Sequence, residues 1–404
     1  MNPLMNARII LGVTGSIACY KAVDLASKLA QAGAQVDTIL TAGAARFVTP
    51  LTFQSVTGRR AYTDADLWGN EAHVLHVGLA HTADLLAIVP ATANTLAKLA
   101  HGQADNLLSI TALAATCPRL IAPAMDGGMY THPATAANVI ALRDRGAVIV
   151  GPEEGHLASG LTGTGRLADP GTLLGQIRLL LGCQDGLLQG RRVIVTAGGT
   201  REALDPVRYL TNRSSGKQGY ALAQAALDAG ADVTLITAAQ GLTPPAGAHV
   251  IPVAAAEEMA DAVLAAVEEA DALLMAAAVA DFRPAKTSAQ KIKKRDGTPI
   301  IELARTPDIL QLVAEQRKET GRPTVVVGFA AETQDLIAHA QEKLMRKRLD
   351  LIVANDVSQQ DAGFAVDTNW VTFLRPDGEP ERLPLMSKEE VAARVVGRVA
   401  EMLG

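Results

Sequence analysis

One stretch of this chain gathers residue types suited to holding a phosphate. It reads Thr196-Ala197-Gly198-Gly199-Thr200-Arg201-Glu202, then Asp205-Pro206-Val207-Arg208-Tyr209-Leu210-Thr211-Asn212-Arg213-Ser214-Ser215-Gly216-Lys217-Gln218-Gly219. Arg201, Arg208, Arg213 and Lys217 supply positive charge, and the glycines and hydroxyl residues let backbone N–H groups approach an anion. The stretch follows the β-branched run Arg192-Val193-Ile194-Val195 and precedes an alanine-rich helical pattern. Strand, polar loop, then helix is how an α/β fold presents N–H donors to phosphate. The loop is too long and too polar to be only a turn. Two earlier segments share part of this character. Gly12-Val13-Thr14-Gly15-Ser16-Ile17-Ala18 opens a helical pattern, where Ser16 either caps the helix or joins its N–H groups in holding a phosphate. Pro90-Ala91-Thr92-Ala93-Asn94-Thr95 closes an apolar run with small polar side chains, at the strand end where open α/β sheets bind ligands.

The elements that must position these segments alternate between strand and helix patterns. In the first half, strands are expected at 9–13, 35–41, 84–89, 120–122 and 147–150, with helices at 17–32 and 94–100 and a glycine-rich loop over 152–167. In the second half, strands begin at Val193 and recur at 232–237, 272–276, 324–327, 349–354 and 370–374. Helices fall at 219–229, 256–269, 308–319 and 334–347, and Ser387 with Glu390 forms a capping box for the last one. The order predicts an α/β chain of two Rossmann-like domains with mainly parallel sheets. The small polar stretch 182–190 is the expected boundary, giving domains 1–189 and 190–404. A length of 404 residues suits two domains.

Composition narrows the function classes. The chain is 49% hydrophobic and 20% charged, with a net charge of −5. That balance argues against nucleic acid as a partner, which would call for a broad basic face. Cys19, Cys117 and Cys183 have no metal spacing and fit a reducing, cytoplasmic setting. No signal-peptide pattern or membrane-length apolar run is present, so no membrane is expected. Neither strand–loop start carries G-x-G-x-x-G, and no acidic residue closes the second strand, so a plain NAD dehydrogenase is a weak reading.

The first-half segments, together with Pro123-Ala124-Met125-Asp126-Gly127-Gly128-Met129-Tyr130, resemble the flavin-dependent cysteine decarboxylases. The resemblance implies a Rossmann-like homotrimer that holds FMN at subunit contacts. It places FMN contacts at Gly15, Ser16, Thr41, Pro90, Ala91, Thr92, Asn94 and Ser109, and substrate contacts at Asp126 and Met129. A carboxylate beside a thiol-bearing carbon leaves poorly, because the resulting carbanion has no electron sink. Oxidation of the thiol to a thioaldehyde by the flavin supplies one, and hydride returns after CO2 departs. His76, in His76-Val77-Gly78-Leu79-Ala80-His81, aligns with the family's catalytic base; by spacing alone, His73, His76 and His81 read as surface histidines. Two positions depart from the familiar pattern. Asp126 stands where an asparagine often holds the substrate carboxylate. Two negative charges 4 Å apart repel by about 1 kcal/mol in water and about 4 kcal/mol at an effective dielectric of 20. Asp126 must therefore be protonated, be countered by a cation, or point elsewhere. Ser159 falls where a cysteine often protonates the enethiolate, and a hydroxyl is a far poorer acid than a thiol.

The middle loop resembles phosphopantothenate–cysteine ligase, along with Ala277-Ala278-Val279-Ala280-Asp281, Lys291-Ile292-Lys293-Lys294, Gly328-Phe329-Ala330-Ala331-Glu332-Thr333 and Ala354-Asn355-Asp356. In this order the motifs cover nearly the whole chain. They resemble the bacterial family of bifunctional phosphopantothenoylcysteine decarboxylase/phosphopantothenate–cysteine ligases of coenzyme A biosynthesis. The resemblance implies that 4'-phosphopantothenate attacks CTP to give an acyl-cytidylate, which L-cysteine then captures. Asn212 would contact the acyl intermediate and Arg208 the substrate, with Lys291 as catalytic cation on a mobile loop. Nucleotide contacts would come from Met275, Ala276, Ala277, Asp281, Lys291, Pro307, Asp308, Ile309, Leu310, Phe329, Lys343 and Lys347. The bland alternatives are a turn asparagine, a solvated charge run, a core phenylalanine and solvated helix lysines. Mg2+ is expected on the triphosphate and water, with no protein metal cage. The same resemblance implies a homo-oligomer, with trimeric flavin domains joined through dimeric ligase domains, consistent with a dodecamer. The competing readings are a working ligase with an impaired or altered flavin half, and a non-catalytic flavoprotein partner.

Overall fold

The computed structural model describes residues 2–68, 74–158, 160–293, 300–332, 336–356 and 368–404. Ser159, His73, Lys294 and Thr333 lie outside the described residues. Contacts divide the chain into two units, Asn2–Leu181 and Gly182–Gly404.

The first unit is built on a six-stranded parallel sheet. Its strands are β1 (Arg8–Val13), β2 (Gln35–Leu40), β3 (Ala61–Tyr62), β4 (Leu85–Ala91), β5 (Arg119–Pro123) and β6 (Ala147–Ile149), in the order β3-β2-β1-β4-β5-β6. Helices α1 (Cys19–Gln31), α2 (Pro50–Thr57), α3 (Leu75–Thr82), α4 (Ala93–His101), α5 (Leu107–Ala114), α6 (Gly127–Thr131), α7 (Pro133–Asp144) and α8 (Pro170–Asp185) accompany it. Successive strand side chains point to opposite faces. Ile9, Leu11 and Val13 of β1 therefore enter one core and Ile10 the other. All seven residues of β4 are buried, as expected for a central parallel strand covered on both faces.

The second unit repeats the logic with β9 (Arg192–Ala197) near the centre. Its eight-stranded sheet runs β13-β12-β9-β14-β17-β18-β20-β21. These strands are β12 (Asp232–Thr237), β13 (His249–Pro252), β14 (Ala272–Met275), β17 (Val325–Glu332), β18 (Leu351–Asp356), β20 (Val371–Leu374) and β21 (Glu381–Arg382). Pairing is parallel from β13 to β18, and the last two strands are antiparallel. Small ladders join β10 (Arg201–Ala203) to β11 (Tyr209–Thr211), β15 (Phe282–Pro284) to β16 (Leu303–Arg305), and β19 (Thr368–Asn369) to β22 (Met386–Ser387). Helices α9 (Lys217–Asp228), α10 (Ala256–Val267), α11 (Ile309–Thr320), α12 (Leu336–Arg346) and α13 (Lys388–Leu403) complete it. The capping box of α13 is formed: Glu390 donates its N–H to Ser387 Oγ at 3.1 Å, and Ser387 returns its N–H to Glu390 Oε2 at 2.8 Å.

Several expectations are corrected. The glycine-rich stretch 152–167 is not a loop but an antiparallel hairpin, β7 (Glu153–His156) and β8 (Thr162–Arg166). Threonines alternate with glycines in β8, which gives the strand a pleat the glycine count concealed. Strand β17 runs on to Glu332, so Phe329 lies within a strand and not after it. Strand β14 stops at Met275, one residue short of the expected end, and Asp281 sits in the following loop. Helix α1 begins at Cys19 with Ala18 as its cap, so Ser16 is not the N-cap. Among the described residues, no helix is long and apolar enough to cross a membrane.

Candidate functional site

Both sheets reverse their strand order next to their first strand: β1 beside β4, and β9 beside β14. Loops leaving two such strands diverge to opposite faces and open a crevice at the carboxyl ends. The sequence-predicted residues cluster at these two places.

In the first unit, Thr14 ties the crevice together. It is buried, donates from Oγ1 to the Pro90 carbonyl at 2.7 Å, and accepts from the Thr92 N–H at 3.0 Å. Thr14 was not among the expected site residues; its signal in the sequence is a threonine at the end of an apolar strand. Thr41 donates its N–H to the Val13 carbonyl at 3.0 Å and accepts from Ala44 N–H at 3.3 Å, which joins the β2 exit to the same place. Ser16 Oγ accepts the Ala18 N–H at 3.3 Å, just ahead of α1. A Cβ on Gly15 would come within 3.0 Å of the Gly43 backbone, so the two loops lie main chain to main chain. Thr92 caps α4 through Thr95 N–H, and Asn94 is exposed on its first turn. This bare backbone, flanked by small polar side chains, fits a phosphate-bearing flavin. Ser109 is engaged otherwise. It is buried in the capping box of α5 with Asn106, so its hydroxyl serves the helix end.

His76 is half-buried on α3, which packs against α5. Asp126 caps α6, its Oδ1 accepting the Gly128 N–H at 3.0 Å, so that oxygen is aimed at a helix end. Met129 is exposed on the same helix. Strand β8 lies directly over this loop, and Met125 donates its N–H to the Gly165 carbonyl at 3.1 Å. A Cβ at Gly165 would stand 2.2 Å from the Met125 carbonyl oxygen, a clash with backbone that no rotamer relieves. We expect Gly165→Ala to push the hairpin off the Asp126 loop, at a cost of about 1–3 kcal/mol. Thermal melting should register it; an unchanged melting temperature would refute the contact.

In the second unit, the floor of the crevice is stitched by buried threonines. Thr196 Oγ1 accepts the Ala277 N–H at 3.0 Å, and Thr200 Oγ1 accepts the Ala280 N–H at 2.9 Å. Ala278 donates its N–H to the Gly198 carbonyl at 2.8 Å. Asn212 crosses this floor, its Nδ2 donating to the carbonyls of Ala278 and Val279 at 3.3 and 3.1 Å. Beside it lies a cleft of about 590 Å3, lined among others by Arg201, Tyr209, Asn212, Arg213, Ser214 and Ser215. Arg201 stacks over the Tyr209 ring at 5.9 Å, and its Nε is buried without a protein partner. An orphaned guanidinium donor in such a wall suits an anionic ligand.

The other nucleotide candidates lie on separate strands, loops and helices of the second unit. Met275 is buried, and Thr196 Oγ1 lies 3.3 Å from its sulfur. Ala276 and Ala277 are half-buried and Asp281 is exposed. Ile309 and Leu310 are core residues, so only their backbone can serve a ligand. Asp308 caps α11, Pro307 precedes it, and Lys347 forms an ion pair with Asp308. Lys347 is no solvated helix lysine: it is buried just beyond α12, and burial lowers the pKa of its ammonium. Lys343 donates to the Phe329 carbonyl at 2.8 Å, and the Phe329 side chain is half-buried. Arg208 turns its guanidinium onto the Asp205 carboxylate, at 2.5 and 3.0 Å. Lys291 is exposed. Among the described residues, no group of three or more His, Cys, Asp or Glu side chains is placed to hold a metal ion.

Comparison with known proteins agrees with this division. Residues 2–181 match the family described as Flavoprotein. Residues 188–403 match the family described as DNA/pantothenate metabolism flavoprotein C-terminal domain. The chain is similar to the Coenzyme A biosynthesis bifunctional protein CoaBC of Bacillus subtilis, at 46% identity over 99% of this chain and 98% of that one. It is 46% identical to the CoaBC protein of Mycobacterium bovis, over 98% and 97%. Among solved structures, the C-terminal domain of a CoaBC protein is 39% identical, with a TM-score of 0.46 over 54% of this chain and 98% of that one.

Proposed function

Since this chain belongs to the family of bifunctional coenzyme A biosynthesis proteins, with decarboxylase and ligase activities, we propose that each switch-point crevice houses one of the two reactions. The ligase crevice joins 4'-phosphopantothenate to L-cysteine at the expense of CTP, with Mg2+ carried on the triphosphate. The flavin crevice decarboxylates the product. Domains 1–189 and 190–404 hold these activities, in a cytoplasmic homo-oligomer of trimeric flavin and dimeric ligase domains.

The observation that carries the ligase assignment is the cleft over the stitched floor, where Asn212 meets Arg201, Arg213 and two serines. Acyl activation builds negative charge on phosphoryl oxygens, and cations and N–H donors stabilise it where water is excluded. Arg201 and Arg213 supply fixed positive charge there, and Lys291 supplies the cation at the α-phosphate. Asn212 spends its Nδ2 on two carbonyls of the floor, which supports a role for its Oδ1 toward the acyl intermediate. The partly buried Phe329 ring and the first turn of α11 border the nucleoside, with Lys343 and Lys347 toward its phosphates.

In the flavin crevice, Gly15, Ser16, Thr41, Pro90, Ala91, Thr92 and Asn94 would hold FMN, with Ser109 acting through the end of α5. When bound, FMN supplies the oxidation of the substrate thiol that lets the neighbouring carboxylate leave. His76 takes a substrate proton at its imidazole. Ser159 orients the enethiol by a hydrogen bond, and Asp126 and Met129 form the substrate wall beneath the hairpin.

One assay tests both halves. Purified protein should be yellow, release pyrophosphate from CTP in the presence of 4'-phosphopantothenate, and evolve CO2 once cysteine is added. A colourless protein would refute the flavin assignment. Pyrophosphate released faster from ATP than from CTP would refute the nucleotide.

A further inference from the structure

The Asp205 side chain has no exposed surface. One oxygen, Oδ1, accepts the N–H groups of Val207 and Arg208 at 2.8 and 2.9 Å, which closes the turn between β10 and β11. The other, Oδ2, accepts from Arg208 Nε and Nη2 and, at 3.2 Å, from the N–H of Ile292, 87 residues further on. Arg208 Nη2 also donates to the Ile292 carbonyl at 2.9 Å. One ion pair therefore holds the N–H and the C=O of a single distant residue. The same segment is tied upstream, where Ser288 donates its N–H to the Leu204 carbonyl at 3.0 Å and Thr287 Oγ1 donates to the Ala203 carbonyl at 3.2 Å. A mobile loop was expected here, yet the backbone next to Lys291 is fastened on its C-terminal side.

We infer that Asp205 is a positioning residue for nucleotide activation: with Arg208 it clasps the peptide after Lys291 and thereby sets where the Lys291 ammonium stands. The inference rests on Lys291 being the cation that faces the α-phosphate. A charge on a flexible four-carbon stem is placed only as well as its backbone is, and misplacement of a reacting group by 1 Å costs about a hundredfold in rate. The Arg208 guanidinium and the surrounding N–H donors hold the Asp205 carboxyl well below the usual carboxylate range. The clasp's contribution is thus full above the ordinary value near pH 4 and is lost only as pH falls through the lowered one.

A double-mutant cycle on the full-length protein decides the matter. Asp205→Asn keeps the shape and removes the charge. It should slow pyrophosphate release from CTP and 4'-phosphopantothenate at least about tenfold in kcat, with KM for CTP changed less than about threefold. Decarboxylation of supplied phosphopantothenoylcysteine should be unchanged. On a Lys291→Ala background the same substitution should cost no more than about twofold, because the group it positions is gone. An equal loss on both backgrounds, or a kcat within about twofold of the parent, would overturn the inference. If Lys291→Ala alone leaves activation intact, the role given to Lys291 fails, and the inference falls with it. Amide exchange in the unaltered protein stands independently of whether any variant folds. The Ile292 amide should be protected, and exchange as fast as in an exposed loop would also overturn the clasp.

Discussion

Lys291→Ala should lower CTP-dependent pyrophosphate release by about a hundred- to thousandfold, while the protein stays yellow and still decarboxylates supplied phosphopantothenoylcysteine. The magnitude is that of removing one preorganised stabiliser of developing phosphoryl charge. The selectivity follows from position. Lys291 is exposed, so its removal leaves the second unit folded. Arginine in its place should rescue only part of the rate, because a planar fork cannot occupy the site of a compact ammonium. Stopped-flow detection of the first turnover, without cysteine, isolates this step. A variant with the parental rate would remove Lys291 from the mechanism.

His76→Asn should depress CO2 release by about a hundred- to ten-thousandfold, the usual range for loss of a general base. Flavin absorbance should persist, because the Thr14 bridge between the β1 and β4 exits does not involve α3. Ligase turnover should be untouched. Release of the flavin along with the activity would instead make His76 part of the packing around the cofactor.

Much of this architecture was legible in the sequence, for identifiable reasons. Apolar runs such as 84–89 are long because β4 is covered on both faces, and helices such as 308–319 announce themselves by a capping aspartate at Asp308. The Ser387–Glu390 box was readable for the same reason. Signals that depend on partners were not. The hairpin at 153–166 looked like a loop because glycine count hides a pleat held by its partner strand. Helices α2 and α7 went unmarked although Pro50 and Pro133 occupy their first turns, a start signal outweighed by weak amphipathic spacing. Of the candidate sites, the crevice-forming loops were readable from local composition, but the roles within them were not. Arg208 reads as a ligand for anions until Asp205 is seen to hold it. Lys347 reads as a surface lysine until its burial against Asp308 is seen. The Lys347–Asp308 pairing is tertiary and no local spacing encodes it, whereas Asp205 and Arg208 stand three apart in one turn, where the spacing allows a pair but does not show that the carboxylate takes the guanidinium.

Each unit has its own hydrophobic interior, yet a single polypeptide carries both. Synthesis therefore delivers the two catalysts in strict one-to-one supply, whatever the level of expression. The same tether exposes a vulnerability. A lesion that opens either interior offers the whole molecule to cellular proteases. A hereditary defect mapped to one catalytic half would then present as depletion of both.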